Sequence, residues 1–315
     1  MKLIIQIPCF NEELTLPATL ADLPQKIAGI DVIEVMVVDD GSTDNTVRVA
    51  QDLGVKHIVK LGSNRGLATA FRRGSEYALS QGVDILVNTD ADNQYCGEDI
   101  VKLVEPILKH EADMVIGCRP ILEHSEFSPI KKAMQLLGSW ALRRISKTAA
   151  RDAASGFRAF SRETLQRIFI HSVFSYCMET LIQAGNTGVR VTSVDIRVNP
   201  KTRESRLFKS IPQYIRKSGG TMVSMFVLYR PGRFFACCAL PFISVALLLG
   251  LRFIYLVYVF DTVSKGRTYI PSLILLAVCF IIGTLLISLG VIGEILKAQR
   301  KIIEECLFLQ RREKD

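Results

Sequence analysis

The chain has 315 residues, 49% of them hydrophobic, with 39 Lys and Arg against 31 Asp and Glu. A mean hydropathy of +0.27 excludes a disordered polar chain, and the length leaves room for one sizeable domain plus a further segment. The net charge of +8 suits a nucleic acid or a membrane surface, but the basic residues gather at 197–233 and 297–312, beside the most apolar runs, and no nucleic-acid module is present, so no nucleic-acid partner is expected.

Met1-Lys2 leads straight into LIIQI, with no signal-peptide pattern. Strands are predicted at 3–7, 32–38, 56–60, 84–89 and 112–117, and helices at about 13–25, 44–53, 66–80 and 98–109. Apolar strands alternating with helices indicate an α/β fold with a mainly parallel sheet, whose ligands lie at the carboxyl ends of the strands. A helix is predicted at about 129–146, another at 176–186 and a strand at 189–196. Residues 207–230 mix basic and apolar positions and read as an amphipathic interfacial helix, interrupted near Gly219-Gly220. The eight cysteines are Cys9, Cys96, Cys118, Cys177, Cys237, Cys238, Cys279 and Cys306. None of them forms a CxxC pair, so free thiols in a reducing compartment are expected.

Two apolar runs follow, at 234–260 and 269–293. Each is about 25 residues long, enough to cross a bilayer with some tilt. Arg252 interrupts the first run and is expected to snorkel toward the far interface. Two crossings place both flanks on one side. Arg216, Lys217, Arg230, Arg233, Lys297, Arg300 and Lys301 lie there, against Lys265 and Arg267 in the connecting loop. The positive-inside rule therefore places the large domain and the C-terminus in the cytoplasm. Gly283, Ser288, Gly290 and Gly293 suit close helix packing, which carries an expectation of a homo-oligomer through these helices. The resulting organisation is a catalytic domain at 1–205, a juxtamembrane segment at 206–233, two membrane helices within 234–296 and a basic tail at 297–315.

Three predicted strands end in carboxylates. The first runs into IPCFNEE (7–13), the second into VDDGSTDNT (38–46), the fourth into NTDADNQY (88–95). After Asp39 and Asp40, Gly41 suits a tight turn, and Ser42 or Thr43 suits a helix N-cap. Asp90 and Asp92, two apart, are hard oxygen ligands of the kind Mg²⁺ or Mn²⁺ prefers. Mg²⁺ takes one or two carboxylates and completes its shell with water and phosphate oxygens.

IPCFNEE, VDDGSTDNT, NRGLATAFRRG and DADNQ, in that order, resemble the family 2 glycosyltransferases of the GT-A fold. With two membrane helices behind it, the chain resembles the polyprenyl-phosphate glycosyltransferases, which include dolichol-phosphate mannose and undecaprenyl-phosphate glucose synthases. The resemblance implies a hexosyltransferase that moves a sugar, with inversion, from a nucleotide sugar to polyprenyl phosphate. It implies an integral membrane protein of the cytoplasmic or an endoplasmic-reticulum-type membrane. UDP-glucose is the first expectation for the donor and GDP-mannose the second.

Residue by residue, the resemblance implies that Pro8, Asn11, Glu12, Asp39, Asp40, Arg65, Gly66 and Asp90 bind the nucleotide. Asp92, with Asp90 and Gln94, would ligate Mg²⁺ or Mn²⁺. RDAASGFRAF (151–160) resembles the family's later acidic motif, with Asp152 orienting acceptor or sugar and acting as a base only secondarily, because a phosphate acceptor is already anionic. The bland alternative for Asp152 is a salt bridge to Arg151 or Arg158. Arg119 would act at the same rim and, with Lys131, Lys132, Arg203 and Arg206, would bind the acceptor phosphate. The segment KTRESR departs from the RxxGxSK pattern of some members, with Pro200 and Arg203 where Arg and Gly would stand and Arg206 replacing Lys.

Three other functions fit the sequence less well. A polysaccharide synthase would carry QxxRW, which does not surround Trp140, the one tryptophan. An inactive nucleotide-sugar-binding membrane scaffold would not need the intact DxD. A dinucleotide-dependent oxidoreductase is set aside because no GxGxxG follows the first strand.

Overall fold

The computed structural model describes residues 1–120, 143, 146, 148, 150–170, 176–200, 219–220, 223–224, 226–258 and 269–313. Most of the helix expected at 129–146 and of the amphipathic segment at 207–230, together with Lys131, Lys132, Arg203 and Arg206, lie outside the described residues. The chain divides into two compact units, Met1–Tyr214 with Glu304–Asp315, and Ile215–Ile303.

The first unit is built on a seven-stranded sheet of order β3-β2-β1-β4-β6-β5-β7. Its strands are β1 (Lys2–Cys9), β2 (Val32–Asp39), β3 (His57–Lys60), β4 (Ile85–Asn88), β5 (Met114–Cys118), β6 (Arg158–Ser161) and β7 (Val191–Asp195). The helices are α1 (Leu16–Ala21), α2 (Thr46–Asp52), α3 (Leu67–Ser80), α4 (Ile100–Leu108), α5 (Arg162–Arg167) and α6 (Tyr176–Thr187). Leu3, Ile4, Ile5, Ile7, Ile85, Leu86 and Val87 are all buried. Both faces of β1 and β4 are covered, which is why these strands read as near-continuous apolar runs.

Every pairing is parallel except those of β6, which runs antiparallel to both β4 and β5. The sheet is therefore mixed, and β6 is an element the hydropathy pattern did not reveal. Helix α1 is shorter than the expected 13–25. Residues 12–15 form a turn, with the amides of Thr15 and Leu16 donating to the Glu12 carbonyl. The expected caps Ser42 and Thr43 do not cap α2. Asp44 Oδ1 accepts the Thr46 amide at 3.0 Å instead.

At the amino end of the sheet, buried Glu34 gathers Lys2 at 2.7 Å, His57 at 2.8 Å, and Lys56. Burial alone would raise the Glu34 pKa, but hydrogen bonds from Lys2, Lys56 and His57 override it and bring it down to about 2. A carboxyl depressed below its unfolded value stabilises the fold above that value and loses the contribution as pH falls toward the folded one. The Glu34→Gln variant is therefore expected to melt below wild type at neutral pH. The gap should close as pH falls from about 4.5 to about 2. Melting curves across that window check this, and a gap that does not depend on pH would refute it.

The second unit contains α7 (Pro231–Tyr258) and most of α8 (Ile270–Glu313). Both are long and apolar enough to cross a membrane. They pack antiparallel through small residues. A Cβ on Gly283 would meet Ile243 at 2.4 Å, one on Gly290 Phe235 at 3.3 Å, and one on Gly293 Pro231 at 2.5 Å. These glycines are thus occupied within one chain and carry no argument for association between copies. Helix α8 outruns the expected 269–293. After Gly293 the sequence EILKAQRKIIEECLFLQRRE holds neither Gly nor Pro and is rich in strong helix formers. Its 44 residues reach about 66 Å, so residues 297–313, expected as a basic tail, are helical. From Glu304 on they belong to the first unit. There Arg311 donates to the carbonyls of Leu165, Gln166 and Ile168, and Arg167 lies 4.2 Å over the ring of buried Phe308.

Candidate active site

Six of the seven strands run one way, so the residues that follow β1, β2, β4 and β5 meet at one rim. Because β6 is reversed, it is the residues preceding it, Asp152–Phe157, that reach this rim. The strand order changes direction between β1 and β4, the switch point at which open α/β sheets bind ligands.

One side of the rim is a hydrogen-bonded frame. Asn11 follows β1 with φ +56°, a left-handed conformation that Asn tolerates better than most residues. Its amide donates to Ser42 Oγ at 3.0 Å, and its Oδ1 accepts the Thr43 amide at 2.8 Å. The Glu12 amide donates to Thr46 Oγ1, and the Glu12 carboxylate accepts the Thr15 hydroxyl. Asp39 Oδ1 accepts the Ser42 amide at 3.1 Å. Buried Asp40 accepts the amides of Arg65 at 2.7 Å and Gly66 at 2.9 Å. The expected nucleotide residues Asp40, Arg65 and Gly66 are thus joined to one another, and Asp40 fastens the loop after β3 to the end of β2. Gly41 permits this closeness. Its φ is +77°, and a Cβ there would stand 2.5 Å from the backbone of Ser63. Pro8 is half-buried in β1, opposite Val38.

The β4 end carries Asp90 and Asp92, both half-buried. Asp92 Oδ1 accepts the Gln94 amide at 3.2 Å across Asn93, whose φ is +54°. A Cβ on Gly156 would come within 3.1 Å of Asp90 Oδ1 and of Tyr176 Oη. The absence of a side chain at Gly156 lets the reversed segment lie directly on the Asp90 carboxylate. Buried Asn88 donates to the Gly156 carbonyl at 3.1 Å and to Tyr176 Oη at 2.8 Å. Tyr95 stacks on Phe157, ring centroids 4.9 Å apart, and its Oη accepts the Gly156 amide. Burial raises the Tyr95 pKa, so the phenol stays neutral.

Arg119, just past β5, meets Asp152 in a two-point pair, Nε to Oδ2 at 2.7 Å and Nη2 to Oδ1 at 3.1 Å. Asp152 is fully buried. Burial alone would raise its pKa, but the Arg119 guanidinium overrides that and holds it below the usual carboxylate range. Burial likewise works against the Arg119 charge, and the carboxylates of Asp152 and Asp90 outweigh it. The ion partner of Asp152 is thus neither of the neighbours considered from sequence. Arg151 pairs with Asp195 at 2.9 Å. Arg158, also fully buried, donates to the carbonyls of Ser155, Cys177 and Ala153 and to Thr180 Oγ1, all within 2.7–2.8 Å.

Among the described residues no group of three or more His, Cys, Asp and Glu is placed to enclose a metal. Asp90 and Asp92 offer instead the one or two carboxylates that Mg²⁺ or Mn²⁺ uses when a diphosphate and water complete its shell. The donor set fits a metal shared with a substrate.

The sequence profile of glycosyl transferase family 2 matches residues 4–169, which include Asp39, Asp40, Asp90, Asp92, Arg119 and Asp152. The chain belongs to glycosyl transferase family 2. It is an inverting GT-A sugar transferase that acts with a nucleotide sugar. It is 30% identical over 207 residues to the undecaprenyl-phosphate mannosyltransferase of Micrococcus luteus, covering 62% of this chain and 83% of that one. It is 30% identical over 226 residues to the dolichol-phosphate mannosyltransferase of Pyrococcus furiosus, covering 69% and 62%. It is 28% identical over 213 residues to the UDP-N-acetylglucosamine–dolichyl-phosphate N-acetylglucosaminyltransferase of Methanococcus voltae, covering 61% and 83%. The fold is shared with glucosyl-3-phosphoglycerate synthase of Mycobacterium tuberculosis, solved with Mn²⁺, UDP and glucosyl-3-phosphoglycerate. That likeness has a TM-score of 0.54 at 19% identity and covers 72% of this chain and 78% of that one.

At this rim, sequence reasoning passed over Asn88, Tyr95, Gly156 and Tyr176, and considered Arg158 only as an alternative partner for Asp152. The signal available was SGFR behind Asp152. A glycine and a basic residue at fixed offsets from an acid mark a constrained loop, though not what constrains it.

Proposed function

We propose that this glycosyltransferase carries a sugar from a nucleotide sugar to a polyprenyl phosphate, held in the membrane by α7 and α8 with its catalytic unit on the cytoplasmic side. The observation that carries this reading is the Arg119–Asp152 pair. A hydroxyl acceptor needs a base whose pKa lies near the working pH. Asp152 is depressed and committed at both oxygens to Arg119, so it is a poor base. A phosphate monoester, with its second pKa near about 6, is already a nucleophile at neutral pH. The named relatives support the same acceptor class, since each acts by name on an undecaprenyl, dolichol or dolichyl phosphate. Their sugars differ, so the donor is left to experiment.

In this reading a lipid phosphate oxygen attacks the anomeric carbon. The bond to the nucleoside diphosphate breaks on the opposite face, so configuration inverts. Pro8, Asn11, Glu12 and Asp39 shape the nucleotide end, and Asp40 does so through the Arg65–Gly66 loop. Asp90 contacts the nucleotide. Asp92, with Asp90 and Gln94, would hold Mg²⁺ or Mn²⁺, which when bound neutralises charge on the leaving diphosphate. Arg119, with Lys131, Lys132, Arg203 and Arg206, draws in the acceptor phosphate against like charge.

The test offers detergent-solubilised protein labelled UDP-glucose, GDP-mannose and UDP-N-acetylglucosamine with polyprenyl phosphate and Mg²⁺ or Mn²⁺. Labelled lipid is expected from one donor, and its formation should be lost with chelator and in Asp92→Ala. Transfer to a hydroxyl acceptor, with polyprenyl phosphate inert, would overturn the acceptor assignment.

A further inference from the structure

The segment leaving β7 does more than exit the sheet. Arg197, Val198 and Asn199 run alongside the turn that follows the two β4 carboxylates, and each is fastened to it. The Arg197 amide donates to Asp99 Oδ2 at 2.6 Å, and its guanidinium reaches Asp99 Oδ1 and Glu98. The Cys96 amide donates to the Arg197 carbonyl. Val198 forms an antiparallel bridge with Tyr95. The Asn199 amide donates to the Gln94 carbonyl at 2.8 Å, and its side-chain Nδ2 to the Asn93 carbonyl at 3.1 Å.

The last two bonds fall at a sensitive place. Asn93 is left-handed, and the Asp92–Gln94 hydrogen bond closes across it. The orientation of Asp92 therefore depends on Asn93 keeping a conformation that non-glycine residues seldom adopt. Asn93 Oδ1 is buried and has no hydrogen-bond partner among the described residues, so this oxygen anchors nothing. The backbone carbonyls of Asn93 and Gln94 are held instead, both by Asn199.

We infer that Asn199 is a positioning residue for the metal-binding carboxylates, acting through the Asn93 and Gln94 carbonyls to fix the turn that aims Asp92. The inference rests on the reading that Asp92 and Asp90 hold a divalent cation. Outer-layer hydrogen bonds of this kind set ligand direction, and their loss typically costs about 10- to 100-fold in metal affinity. Arg197 fastens the same strap farther from the turn, through Asp99 and Glu98, so it is a control for strap integrity alone.

The experiment is a titration of the full chain in detergent with Mn²⁺, in the presence of UDP or of GDP. Bound and free ion are separated by the electron paramagnetic resonance signal of free Mn²⁺. Asn199→Ala and Asn199→Asp, the second of which preserves shape and removes the Nδ2 donor, are both expected to raise the Mn²⁺ Kd about tenfold or more. Their melting temperatures should stay within about 2 °C of wild type. Arg197→Ala is expected to lower the melting temperature while leaving the Mn²⁺ Kd within about twofold. Wild-type Mn²⁺ affinity in both Asn199 variants, with Asp92→Ala abolishing binding, would overturn the role of Asn199 and leave the metal site standing. Wild-type affinity in Asp92→Ala as well would remove the metal reading and this inference with it. If Asn199→Ala fails to fold, the isosteric Asn199→Asp decides.

Discussion

The Asp152→Asn variant is expected to lose about 100-fold or more in kcat/KM for polyprenyl phosphate and to keep the acid limb of its pH profile in place, a loss of about 2.7 kcal/mol in transition-state stabilisation. The amide cannot offer Arg119 two anionic oxygens, so a largely buried guanidinium loses its counter-charge and its fixed direction. Asp152 is depressed below its ordinary value by Arg119, so it is ionised throughout the neutral range and cannot produce a limb there. The limb belongs to the acceptor, whose phosphate gains its second charge near about pH 6. Activity should therefore fall below that pH equally in wild type and variant. A limb that vanishes or shifts in Asp152→Asn would mean that Asp152 takes the proton itself, and the phosphate reading would fail. Arg119→Lys should not rescue, because an ammonium cannot replace the two-point geometry. The two single losses should also fail to add in the double variant, as expected for groups acting as a pair.

Much of the sheet was legible because β1 and β4 are covered on both faces and β1, β2 and β4 carry largely apolar runs, interrupted by Gln6 in β1 and Glu34 in β2. The three acidic strand ends were legible for the same reason, since each run stops where the rim begins. What escaped were features that depend on contacts distant in sequence. Strand β6 has four residues and begins with a charged one, Arg158, so it carries no strand signature. Yet its reversal is what brings Asp152 beside Arg119, 33 positions away. Reasoning from sequence neighbours could offer only Arg151 or Arg158 as an alternative partner for Asp152. Adjacent side chains on an extended segment point to opposite sides, and those two arginines serve Asp195 and a set of carbonyls instead. The same limit hid Asn199. Nothing in VNPK announces that an asparagine leaving one strand braces a turn more than a hundred positions earlier.

Arg158→Ala is expected to be the most destabilising single substitution near the site, costing about 4 kcal/mol. Arg158 is fully buried, and its hydrogen-bond partners among the described residues are three backbone carbonyls and one hydroxyl, all neutral. The guanidinium therefore works as a planar connector. Nε and Nη2 hold the Ser155 and Ala153 carbonyls of the loop after Asp152, and Nη1 ties that loop to Cys177 and Thr180 on α6. Alanine would leave those acceptors buried without donors and open a cavity, two costs that arise together. For a unit of this size the melting temperature should fall by about 10 °C. Arg158→Lys should recover only part, since one ammonium cannot span carbonyls on two elements. The effect should also reach the chemistry. The freed loop carries Asp152 at one end and Gly156 at the other, and Gly156 is the point at which Asn88, Tyr95 and Tyr176 converge beside Asp90. Amide exchange at 151–157 should accelerate in Arg158→Ala while exchange in β1 and β2 keeps wild-type protection. A melting temperature within about 2 °C of wild type would show that the carbonyls find other donors and that Arg158 does not hold the rim together.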